Sequence, residues 1–127
     1  MPDARSATPP VYALKAEFFR VLGHPVRIRL LQLLREGERT VGSLQAALEL
    51  DSGSTSQQLA VLRKQGLVEG RREGTNVYYA VKDHRTLELL ELAKSILTAN
   101  LEERQALLDG LATEDFGPPR GRGGSRP

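Results

Sequence analysis

The stretch DSGSTSQQLAVLRKQGLVEGRREGTNVYYAV, residues 51–81, decides the fold, because its hydrophobic period changes partway along. Up to about Lys64 the apolar residues keep helical spacing, with Leu59 and Leu62 turned inward. Asp51, Ser52, Gly53 and Ser54 are a run of helix-capping residue types, so the helix starts there. Gly66 closes it as a C-terminal cap. Beyond it the period drops from about 3.6 to 2, which predicts strands at 67–72 and 77–81. Glu73-Gly74-Thr75-Asn76 between them is a turn-forming tetrad, so the strands pair as a hairpin.

Upstream, residues 42–48 read as a short helix with Leu44 and Leu48 inward. Residues 25–35 form another, with Ile28, Leu31 and Leu34 on one stripe and Leu30 and Leu33 widening it. Pro25 stands in the first turn, where a missing N–H costs nothing, and Gly37 ends the segment. Val11–Leu22 is an amphipathic helix carrying Leu14, Phe18 and Val21, and Gly23-His24 breaks it. Downstream, residues 86 to about 112 form a long helical stretch with Leu87, Leu90, Leu97, Leu101, Leu108 and Leu111 along one face. Asn100 and Glu103 have capping-box spacing, which leaves open a break into two helices there. The expectation is a mostly α fold with a small antiparallel β-hairpin, occupying residues 11–112. A disordered arm (1–10) precedes it and a flexible Gly/Pro/Arg tail (113–127) follows. The end of that tail, GPPRGRGGSRP, holds no apolar residue to offset the entropy of ordering.

A chain of 127 residues supports one small core. It contains no cysteine, which excludes disulfides, thiolate metal sites and thiol redox sensing. No apolar run is long enough to span a bilayer and no signal-peptide core opens the chain, so a cytoplasmic location and no membrane partner are expected. No Ser/His/Asp set, close carboxylate pair or Gly-rich phosphate loop is present, so neither catalytic residues nor a cofactor are expected. Net charge is only +2, but it is segregated. Between Arg20 and Lys82 ten Lys/Arg stand against six Asp/Glu; from Asp83 to Ala112 three stand against six. The middle attracts a polyanion and the C-terminal stretch repels one.

Short helix, tight turn, second helix and hairpin in that order form a winged helix-turn-helix, whose second helix enters the major groove of DNA. Such a helix needs small or amide side chains outward at its start, and Ser52, Gly53, Ser54, Ser56, Gln57 and Gln58 supply them. Glutamine pairs bidentately with adenine, and serine reaches phosphate or base. Arg63 adds a cation to that helix, while Arg71, Arg72 and Asn76 cluster near the hairpin tip, within reach of phosphates or the minor groove. The competing reading keeps the fold as a protein-interaction module without DNA binding; the polar helix face and basic tip weigh against it.

LGHPVRIRLLQLL at 22–34, STSQQLAVLRKQGLV at 54–68 and RREGTNVYYAV at 71–81 closely resemble the ArsR/SmtB family of dimeric winged-helix repressors. The resemblance implies a homodimer joined through the first and last helices, binding double-stranded DNA at a palindromic operator and released by an effector. Leu14, Phe18, Leu87, Leu90 and Leu97 would supply the dimer seam. The family's metal sites do not carry over. Its thiolate sensors place Cys-x-Cys where this chain has Glu49, Leu50 and Asp51. Its interhelical zinc-type site is matched by Asp83, but Arg85, Ile96 and Ala99 stand at the other three ligand positions. His84 is one residue off that pattern and His24 lies in a helix junction as a structural residue. No metal site is expected, and the effector is left unknown.

Overall fold

The computed structural model describes residues 8–116. Element order is α1 (Val11–Leu22), α2 (Pro25–Leu33), β1 (Arg39–Thr40), α3 (Val41–Leu48), α4 (Ser52–Lys64), β2 (Val68–Glu73), β3 (Asn76–Val81) and α5 (Arg85–Phe116). By internal contacts the chain divides after Leu87, and the two parts are described separately.

In the first part the helix ends are written locally. His24 caps α2 by accepting the Val26 N–H on Nδ1 at 3.2 Å, with Pro25 directly inside the helix. Thr40 caps α3 through Ser43 N–H at 3.1 Å. Helix α4 ends on Gly66 (φ +82), with Gly66 N–H donating to the Arg63 carbonyl and Leu67 N–H to that of Leu62, each at 2.9 Å. That paired arrangement needs a left-handed residue, which glycine adopts without a Cβ clash. Helix α3 ends the same way on Glu49, the one non-glycine residue with positive φ (56°) among the described residues.

Strand β3 is central in a three-stranded antiparallel sheet ordered β1-β3-β2. The hairpin was expected; β1, pairing Arg39 with Tyr79 and Thr40 with Tyr78, was not. Gly74 (φ +65) opens the two-residue turn between β2 and β3. Gly70 faces Tyr79, and a Cβ there would lie 3.2 Å from that ring, so glycine lets the buried tyrosine lie flat on β2.

The core is built from Leu30, Leu31 and Leu34 of the α2 region, Leu44 of α3, and Thr55, Leu59 and Leu62 of α4. Val21, Leu22, Leu67, Val68, Tyr79 and Val81 close it. The α2 stripe is therefore centred on Leu30, Leu31 and Leu34, with Ile28 and Leu33 half-buried at its margins. Helix α4 contacts α2, α3 and β2, so its inward face is held from three sides. This is a winged helix-turn-helix: α3, a turn, α4, and the β2–β3 wing.

Beyond Leu87 the described chain is one helix. The break considered near Asn100 does not occur, because α5 runs unbroken through that residue to Phe116, four residues past the expected end of the domain. Its described residues from Glu91 to Thr113 are all exposed, including Leu92, Ile96, Leu97, Leu101, Leu107, Leu108 and Leu111. Most of the expected arm (1–7) and tail (117–127) lies outside the described residues. No helix among the described residues is long and apolar enough to cross a membrane.

Candidate nucleic-acid interface

Helix α4 is the element to which the sequence assigned reading of DNA, and its two faces separate cleanly. Thr55, Leu59 and Leu62 are fully buried; Ser52, Gly53, Ser56, Gln57, Ala60, Arg63 and Lys64 are exposed. At about 100° per residue, Ser52, Ser56 and Arg63 form one outward stripe, and Gly53, Gln57, Ala60 and Lys64 form its neighbour. Lys64 was missed by the sequence reading, although its distance of seven residues from Gln57 puts it on the same face.

The first turn of α4 is fixed by Asp51. Its Oδ1 accepts the Ser54 N–H at 2.7 Å and its Oδ2 the Ser54 hydroxyl at 3.2 Å. The buried Thr55 hydroxyl donates to the Asp51 carbonyl at 3.0 Å. The backbone N–H of Ser54 chiefly, with its hydroxyl, holds the Asp51 carboxyl below the usual aspartate range. This cap presents the helix start, and it occupies Ser54, which was expected to face DNA.

Gln58 is occupied as well. Its Oε1 accepts Arg27 Nε–H at 2.8 Å, while Arg27 Nη1 donates to the Val21 carbonyl at 3.2 Å. One half-buried guanidinium thus ties the end of α1 and the start of α2 to the middle of α4. Gln58 can still donate from its amide nitrogen, but its position is set from behind.

The wing brings Arg71, Arg72 and Asn76 to one hairpin, all exposed. Arg71 forms ion pairs with Glu38 at 2.7 Å and Glu73 at 2.9 Å, and lies 4.8 Å above the Tyr78 ring. Hydrogen bonding from Arg71 lowers the Glu38 carboxyl below its ordinary range, and Glu38, then Glu73, raise the Arg71 guanidinium still higher. Arg72 makes no side-chain hydrogen bond or ion pair among the described residues. On α4 and the wing the outward cations besides Arg71 are Arg63, Lys64 and Arg72; the Glu17 carboxyl, lowered chiefly by its hydrogen bond from Arg20, also feels Lys64.

The residues expected on a dimer seam fall in different surroundings. Leu14 and Leu97 are more than half exposed, and Phe18 and Leu90 are half-buried. Leu87 is 9% exposed within its own chain, a core residue with little surface left for a partner. At the family's metal positions, the Asp83 carboxylate is held by the guanidinium and N–H of Arg85. Among the described residues no three of His, Cys, Asp and Glu come together to hold a metal ion.

Residues 24–70 match the family model for bacterial regulatory proteins of the arsR family. The chain is 46% identical over 103 residues to the HTH-type transcriptional regulator Rv0081 of Mycobacterium tuberculosis, spanning 80% of this chain and 90% of that protein. The crystal structure of Rv0081 matches with a TM-score of 0.70 at 45% identity, over 76% of this chain and 98% of that one. A biofilm growth-associated repressor of Agrobacterium fabrum is 37% identical over 84 residues, 66% of this chain and 72% of the repressor. The solution structure of the homodimeric winged helix-turn-helix DNA-binding domain of Mb0332 from Mycobacterium bovis matches at 30% identity. Its TM-score is 0.66, over 81% of this chain and 93% of that domain. The chain belongs to the arsR family of bacterial regulatory proteins.

Proposed function

We propose that this protein is a homodimeric, sequence-specific DNA-binding repressor that reads the major groove with α4 and steadies itself on the backbone with the wing. The observation that carries this reading is the exposed face of α4: serine, glycine and glutamine at its start, cations at its end, and no carboxylate on it. A solvated helix has no need to exclude acids, whereas a polyanion does. Ser52, Gly53, Ser56 and Gln57 are the base-proximal residues of this account, with Arg63, Lys64, Arg72 and Asn76 flanking them on phosphate. Ser54 and Gln58 support the helix from the cap and from Arg27.

Repression and dimerisation are brought to this chain from its relatives, one of them a repressor and another a homodimeric DNA-binding domain. The exposed apolar residues along α5 support the second, since a lone helix gains nothing from exposing seven large apolar side chains. A two-fold dimer implies a palindromic operator. The effector of this account is neither a thiol-bound nor a standard interhelical metal, because the sequence has no cysteine and only Asp83 of the four interhelical ligand positions holds a donor.

The test is an electrophoretic mobility shift on the DNA upstream of the protein's own gene. The reading requires a sequence-selective, salt-sensitive shift at sub-micromolar protein; retardation of random duplex with equal strength would refute it.

A further inference from the structure

We infer that Arg71 is a positioning residue of the wing, and that its neighbour Arg72 is the one that meets the nucleic-acid backbone. The inference rests on the DNA-binding reading above and divides a pair that the sequence treats as equivalent. Arg71 lies opposite Tyr78 and Arg72 opposite Val77, so their side chains leave opposite faces of the β2–β3 ribbon.

On its face, each of the three guanidinium nitrogens of Arg71 already donates to a carboxylate. Nε and Nη2 donate to the two carboxylate oxygens of Glu38 at 3.0 and 2.7 Å, and Nη1 donates to Glu73 at 2.9 Å. The plane sits over Tyr78 of the central strand. Glu38 immediately precedes β1 and Arg71 is on β2, so the guanidinium spans β3 and joins the two outer strands. An isolated surface ion pair contributes little. This one is a fork-to-carboxylate pair, shared with a second acid and placed 4.8 Å over an aromatic ring, which fixes geometry as well as charge. One cation between two carboxylates also leaves the spot net negative. A phosphate would have to compete with Glu38 and Glu73 for Arg71. Arg72 is exposed and has no such bond among the described residues.

The two roles separate in the salt dependence of DNA binding, since each neutralised phosphate contributes about 0.9 to the slope of log K against log salt. With full-length protein and its cognate duplex, Arg72→Ala should lower the slope by about 1.8, because the dimer loses one phosphate contact from each of its two wings. Arg71→Ala should weaken binding and leave the slope unchanged. Arg71→Lys, which keeps the charge and loses the fork, should behave like Arg71→Ala. Glu38→Ala should weaken binding too, and the Arg71→Ala/Glu38→Ala double variant should bind no worse than the weaker single. In the free protein, amide hydrogen exchange in β2 and β3 should accelerate in Arg71→Ala and Glu38→Ala and not in Arg72→Ala. That arm needs no DNA, so it distinguishes failure of this inference from failure of the DNA-binding reading. A slope lowered by about 1.8 in Arg71→Ala, tighter binding in Glu38→Ala, or unchanged exchange in both variants would overturn it.

Discussion

Replacing Glu49 with glycine should make the protein more stable. Glu49 ends α3 at φ 56°, the left-handed position in the turn between the two helices of the motif. There its N–H bonds to the Ala46 carbonyl at 3.2 Å and the Leu50 N–H to that of Gln45 at 3.1 Å. A side chain in that conformation costs roughly 1–2 kcal/mol through the clash of Cβ with the following carbonyl. Glycine removes the clash and also frees the unfolded chain, which takes back about 0.4–1 kcal/mol. The net gain is about 0.5–1 kcal/mol. For a domain of this size each kcal/mol moves the melting midpoint by about 4–8 °C, so a rise of about 2–8 °C is expected. Circular dichroism melts at one fixed protein concentration measure it, because association makes the midpoint concentration-dependent. Glu49→Ala is the control: it removes the carboxylate and keeps the Cβ, so it should not reproduce the gain. A lower midpoint in Glu49→Gly, or an equal rise in Glu49→Ala, would refute the backbone explanation.

Leu59→Ala empties a fully buried position beneath α4 and should cost about 3–5 kcal/mol, read from urea unfolding. Gln57→Ala should lose about 1–3 kcal/mol on operator DNA and little on random duplex, measured by fluorescence anisotropy. Asp83 is held at about 2 by the Arg85 guanidinium, below the ordinary aspartate value of 3.8. A depressed carboxylate stabilises the fold above its unfolded pKa and loses that contribution as pH falls through the folded one. Melting midpoints should therefore drop as pH goes from about 4 to about 2, and Asp83→Asn should flatten part of that drop. Leu97→Glu places a charge on the exposed leucine face of α5 and should convert dimer to monomer in light scattering, with loss of operator binding.

Much of the fold was legible because its boundaries are local chemistry. The change of period after Gly66, the Asp51 cap and the Gly74 turn all sit within a few residues of what they control. Strand β1 was not legible, since two residues cannot display a period of two. The spacing of Asn100 and Glu103 pointed to a cap that α5 does not use, because a capping pair has meaning only where backbone N–H groups are unpaired. In α2, apolar residues are too dense for spacing alone to single out Leu30 over Ile28 as the innermost.

At the candidate site, sequence gave residue types and exposure but not partners. Arg27 and Gln58 are thirty-one residues apart, and Arg71 and Glu38 thirty-three. No pattern along the chain announces such pairings. They are what separates Gln57 from Gln58 and Arg72 from Arg71, residues that look alike in one dimension. Ser54 is the exception, because an Asp three residues before a serine at a helix start is a capping signature.

Hydroxyl-radical footprinting of the upstream DNA tests the central claim most directly. Two copies of α4 reading successive major grooves should protect two patches on one face of the duplex. The patches should be related by a two-fold axis, with centres about 10 base pairs or a multiple apart. Gln57→Ala should weaken both patches together. A single unpaired patch, protection spread evenly along the duplex, or a footprint indifferent to Gln57→Ala would contradict it.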